Sequence, residues 1–151
     1  MDRWKESFLK KLSQAQNQCG QRFEDALDQF VEPAFQDIGG FLRDNGFQIS
    51  KPLSEEGRRS YKFELAENAY QLVIFRFSGI GEFELRTETF VPGADPKLEK
   101  SVCNVADIDE SWAAGRFQSA LDAFVEQLGN SDRAVGRAAS ADPADEELVV
   151  V

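Results

Sequence analysis

Apolar side chains recur along the first forty positions at spacings of mostly three and four: Trp4, Phe8, Leu12, Ala15, Cys19, Phe23, Ala26, Leu27, Phe30, Ala34, Ile38 and Phe41. That period fits one face of an α-helix and predicts a single amphipathic helix over residues 2–44. At ~1.5 Å per residue the rod would measure on the order of 60 Å, longer than a domain of this size is wide, so part of it must bend or overhang. Pro33 predicts the bend. It has no N–H to give the Gln29 carbonyl and its ring crowds that oxygen, so a kink is expected near residues 29–33. Gly39-Gly40 weakens the last turns, and Asn45-Gly46 is a left-handed stop.

Past Gly46 the period becomes alternating. Tyr61, Phe63 and Leu65 are interleaved with Lys62 and Glu64, the signature of a half-buried strand. Residues 47–49 form a short strand before it, and residues 70–77 and 82–91 read as two more, joined through Glu67-Asn68 and Gly79-Ile80-Gly81, both short enough for hairpins. Residues 92–96 are a Pro/Gly loop, and residues 102–106 can return as an edge strand. A second helix over 109–128 carries Trp112, Phe117, Ala120, Leu121, Phe124, Val125 and Leu128 on one side and closes at Gly129-Asn130. Residues 131–151 lose all periodicity and read as a disordered acidic tail. The expected fold is therefore α+β: one domain over 1–130 with a long kinked N-terminal helix, an antiparallel β-meander of four to five strands within 47–107, and a C-terminal helix packed on the sheet.

Composition narrows the chemistry. The chain has no histidine, which removes Ser-His and Cys-His nucleophile pairs, imidazole metal sites and histidine acid/base catalysis. A net charge of −10 repels phosphate backbones and anionic headgroups, so neither nucleic acid nor membrane is an expected partner. Cys19 and Cys103 lack any CxxC spacing and read as buried free thiols. With no basic-then-apolar leader at the start, the expected compartment is the cytoplasm. No cofactor is expected. Charge is also polarised: residues 1–22 hold five basic and two acidic side chains, whereas residues 101–151 hold three basic and ten acidic ones. Such asymmetry favours steering toward a partner over fold stability.

Several constellations invite a chemical reading. Asp107, Asp109 and Glu110 are hard oxygen ligands of a type that holds Mg²⁺ or Mn²⁺, and they would be the first suspects in a metal-dependent hydrolase or phosphotransferase. The Asp107-to-Glu110 interval is also that of a capping box, and acids at a helix start complement its partial positive charge; capping is the expectation. Gly79-Ile80-Gly81 has the Gly-x-Gly of a phosphate loop but is followed by a strand, so it reads as a hairpin turn. Glu82, Glu84 and Glu88, with Arg86 among them, read as the wet face of a strand. Lys5, Lys10 and Lys11 beside Gln14, Gln16, Gln18 and Gln21 make the first helix basic as well as amphipathic, and its stripe favours packing on protein over lying on lipid.

The strand over 70–77 is apolar on both faces, with Tyr70, Leu72 and Ile74 on one and Val73, Phe75 and Phe77 on the other. Something must cover each face. If both helices cover one, Phe75 and Phe77 are left for a partner. The residues expected to bind a protein partner are accordingly Trp4, Phe8, Val73, Phe75 and Phe77, together with the short apolar end Leu148, Val149, Val150 and Val151, which suits capture as a linear motif. In outline the expected domain resembles type III secretion chaperones and toxin-immunity proteins, a likeness of shape that implies binding and no residue roles. The expected function is that of a non-enzymatic interaction module, an adaptor, chaperone or immunity-type binder. Its partner is a protein, with a basic surface or a homodimer mate among the options. A self-assembling structural role for the long helix is the remaining alternative.

Overall fold

The computed structural model describes residues 2–140, with side chains through residue 130. It opens with one helical rod in three parts: α1 (Asp2–Ala26), a π-turn (Leu27–Val31) and α2 (Glu32–Asp44). The expected kink takes the form of that π-turn, in which the Glu32 N–H reaches back five residues to the Leu27 carbonyl, immediately before Pro33 interrupts the donor ladder. Four residues of α-helix turn through about 400°, so side chains spaced by four drift about 40° per step. The wider turn offsets that drift: Phe23, Leu27, Val31 and Phe35 are all at most 1% exposed. The buried face after the turn is consequently Val31, Ala34, Phe35 and Leu42, whereas the Phe30 and Ile38 of the expected stripe are only partly buried and Phe41 is exposed.

Gly46, at φ +92°, ends the rod. The sheet that follows comprises β1 (Gln48–Ile49), β2 (Leu53–Glu55), β3 (Arg58–Ala66), β4 (Ala69–Gly79), β5 (Glu82–Phe90) and β6 (Lys97–Asn104), all antiparallel, in the order β1-β3-β4-β5-β6, with β2 also pairing β3. The two hairpin turns fall where expected, with positive φ at Asn68, Gly79 and Ile80. β2 was not anticipated, and β6 starts earlier than the expected 102–106, its last expected residues forming a 3₁₀ turn (Val105–Asp107). Helix α3 (Glu110–Ser140) runs past the expected end at 128. One glycine costs a helix only about 1 kcal/mol, and Gly129-Asn130 does not stop it. The remainder of the expected tail, including Leu148, Val149, Val150 and Val151, lies outside the described residues.

Both the rod and α3 pack on one face of the sheet. Phe35 stacks within 4.8 Å of Tyr61, 5.5 Å of Phe63 and 5.8 Å of Phe117 (ring centroids), and Phe23 lies 5.6 Å from Phe83, which in turn lies 5.8 Å from Trp112. Offset and edge-on aromatic pairs of this kind add about 0.5–1.5 kcal/mol each beyond the area they bury. The core is thus an aromatic lattice joining rod, sheet and α3. The covered face is the one bearing Val73, Phe75 and Phe77, which corrects the expectation that these residues await a partner: Val73 and Phe75 are buried and Phe77 is partly buried against Phe23. The opposite face carries the Tyr70–Phe90 stack at 4.8 Å, the Arg86–Glu88 ion pair at 2.6 Å and the Lys100–Glu84 pair at 3.9 Å.

Candidate functional site

Residues 2–18 of α1 are exposed throughout. The rod leaves the sheet at about Cys19, and its apolar stripe continues without a cover: Trp4 is 64% exposed, Phe8 48%, Leu9 61% and Leu12 39%. Trp4 and Phe8, one turn apart, stack at 5.3 Å, which organises them as a flat apolar surface. Lys5 and Lys11, each three residues from Phe8, flank it, on a segment that holds Arg3, Lys5, Lys10 and Lys11 against Asp2 and Glu6. The expected site residues Trp4 and Phe8 are therefore together and accessible, while Val73 and Phe75 are not.

At the other end of the rod, α2 and α3 flank a second apolar surface, a groove of about 560 Å³ lined by Ile38, Phe41, Phe47, Leu65, Leu121 and Val125. Phe41 is 66% and Val125 57% exposed, and Asp37 and Asp122 stand on its wall. Sequence reasoning put Phe41 and Val125 on core stripes and missed this groove. The available signal was an excess: each helix carries more apolar side chains than one face can bury.

Between these ends the rod is strapped to the sheet by charge. Arg59 on β3 has a side chain only 8% exposed and meets three carboxylates of the rod: Asp28 at 2.7 Å, Glu24 at 3.0 Å and Glu32 at 3.3 Å. Those acids are spaced by four, and the π-turn that holds the apolar face in line holds them in line too. Tyr61 donates its hydroxyl to Glu32 at 2.7 Å, and the Gly57 N–H reaches Glu24 at 3.2 Å. Burial opposes the guanidinium charge, but the hydrogen bond to Asp28 and the neighbouring charges outweigh it and hold Arg59 above its ordinary value. Burial, then the hydrogen bond to Glu32, pushes the Tyr61 phenol well above its ordinary range. Both groups keep one protonation state near neutrality, as a strut does, and neither is poised for proton transfer.

A polar cleft of about 460 Å³ lies between β4–β6 and α3. At its floor Gln71, fully buried, donates from Nε2 to the Ala120 carbonyl at 2.8 Å and to Thr89 Oγ1 at 3.1 Å, leaving Oε1 without a partner. Lys97, Glu99, Lys100 and Arg116 line it together with Thr87, Thr89, Ser101 and Ser119. Asp107, Asp109 and Glu110 are exposed at the start of α3. The cap is Asp109, whose Oδ1 accepts the Trp112 N–H at 2.7 Å, and not the expected Asp107–Glu110 box. Among the described residues no group of three or more Cys, Asp or Glu is placed to hold a metal ion. Cys103 is buried and Cys19 only partly so; neither forms a disulfide. No helix among the described residues is long and apolar enough to cross a membrane.

Fold and surfaces together define an α+β domain, a one-sided antiparallel sheet crossed by a helix that overhangs it with an apolar, basic end. Compared with known proteins, the chain matches no family model, no curated protein and no solved structure.

Proposed function

We propose that this chain is a non-enzymatic protein-interaction module that holds a protein partner through the projecting half of α1. The observation that carries the reading is the uncovered stripe of Trp4, Phe8, Leu9 and Leu12 on a basic helix. Scattered surface hydrophobes need no explanation, but four within three turns, two of them stacked, make a contiguous patch of the kind that marks interaction sites. An amphipathic helix read at i, i+4 and i+8 is a common protein-recognition device, with Trp as a preferred anchor. The basic residues around the stripe favour an acidic receptor surface, a refinement of the expectation that set a basic partner against the chain's overall acidity.

The test is affinity purification from native lysate with the full chain beside a Trp4→Ala/Phe8→Ala chain. A protein held by the first and lost from the second supports the reading. Identical capture by both overturns it.

A further inference from the structure

We infer that the projecting half of α1 docks, apolar side down, into the α2–α3 groove of a second copy of this chain. The inference rests on the reading of that stripe as a protein-binding surface and names its occupant.

The two surfaces complement each other in shape and charge. Trp4, Phe8 and Leu12 span about 12 Å of helix at ~1.5 Å per residue, a ridge of three side chains that needs an apolar trough. The groove between α2 and α3 is such a trough, about 560 Å³ in volume with Phe41 and Val125 exposed on it, and a third helix laid between two is ordinary helix-in-groove docking. The ridge is flanked by Lys5 and Lys11, each three residues from Phe8 along the helix, the trough by Asp37 and Asp122. Pairing ridge with ridge would instead set the same basic residues against one another, which disfavours it.

The fold forbids the contact within one molecule. Phe8 and Ile38 lie on one continuous helical rod, separated by about 45 Å along its axis at ~1.5 Å per residue, and a rod cannot fold its start onto its own end. Every molecule therefore presents one ridge and one trough that only another molecule can satisfy. Two copies exchanging ridges make two such contacts and close the pair, which is how complementary patches end in a dimer and not a fibre.

Sedimentation velocity on the full chain over a dilution series tests this, using two variants: ridge (Trp4→Ala/Phe8→Ala) and trough (Phe41→Ser/Val125→Ser). All four side chains are about half or more exposed, and thermal melts confirm that the variants fold. The expected result is a wild-type dimer, a dissociation constant raised at least 30-fold in each variant alone, and recovery of a one-to-one heterodimer when the two variants are mixed, since the mixture restores one intact ridge and one intact trough. A wild-type chain monomeric up to about millimolar concentration overturns the inference. So does a trough variant that dimerises like wild type, or a mixture that stays monomeric. A monomer that still captures another protein through Trp4 and Phe8 sinks the self-docking and leaves the interaction reading standing; a monomer that captures nothing sinks both.

Discussion

Residues 4–12 and residues 23–35 of the same rod carry nearly the same apolar rhythm and meet opposite environments. Phe23, Leu27, Val31 and Phe35 vanish into an aromatic core; Trp4, Phe8 and Leu12 stand in solvent. Nothing in the local spacing separates them. What separates them is the width of the sheet, which ends beneath about Cys19 while the helix continues. Periodicity reports which side of a helix is apolar, and the partner that covers that side is decided by elements distant in sequence. The two halves also differ in how they are held, since only the inner half has acids every fourth residue meeting a buried cation.

The sharpest way to break the comparison is to truncate matched aromatics in the two halves. Phe35→Ala removes a ring 1% exposed that touches Tyr61, Phe63 and Phe117, and should cost about 3–5 kcal/mol in chemical denaturation. An inner-half loss below about 1 kcal/mol would mean that the lattice is not the core. Next in size is Arg59→Met. It leaves Glu24, Asp28 and Glu32 facing one another without their cation, but these carboxylate side chains are 30%, 66% and 26% exposed and remain partly hydrated, so the expected loss is about 1–3 kcal/mol, below that of a fully buried pair. Unchanged stability would reduce the network to a surface feature.

How much of this was legible in the sequence depends on range. The rod, its stop at Gly46, the hairpin turns and the strands β3 to β5 follow from local rhythm and turn residues, and they stand where expected. Arg59 was legible in principle: it shares the inward phase of Tyr61 and Phe63, and a charge at an inward position demands partners. What hid those partners was the π-turn. It shifts the helix phase by a residue, so a reading in steps of 3.6 selects Phe30 and Ile38 where the structure buries Val31 and Phe35, and scatters Glu24, Asp28 and Glu32 that the structure aligns. The covered face of β4 was not legible, because both faces are apolar and only the tertiary placement of two helices chooses between them. Of the candidate site, the Trp4 and Phe8 half could be read from the overhang argument. The groove could not, since its lining is drawn from two helices far apart in the chain, with Phe47 and Leu65 between them.

Tyr61 offers a smaller and pH-dependent probe of the strapped half. Tyr61→Phe deletes one hydroxyl hydrogen bond to Glu32 and should cost about 1 kcal/mol at neutral pH. The folded state holds the phenolic proton above its ordinary value of 10.0, so the unfolded chain releases that proton first as pH rises. Above about pH 10 the unfolded state binds fewer protons and stability falls; the contribution is complete below that point. Denaturation of wild type and Tyr61→Phe at pH 8 and pH 11 should show the gap between them narrowing or reversing at the higher value. A gap constant with pH would mean that the phenol is not held neutral by the fold.

The smallest expected effect on stability is also the one that separates the halves most cleanly. Trp4→Ala and Phe8→Ala act on residues that touch each other and little else, in a stretch where every position is exposed, and alanine is the best helix former available. A monomer should therefore melt within about 0.5 kcal/mol of wild type, in contrast to the loss at Phe35 from the same chemical change. If the projecting half is docked on a second chain, this neutrality holds only at high dilution: as concentration rises, wild type gains stability by mass action and the double variant does not. Melting temperatures of both proteins across a hundredfold concentration range thus report on cover by a second copy, diverging where one chain occupies the other's stripe and running parallel where it does not. Parallel curves throughout would show that no second copy covers the outer half.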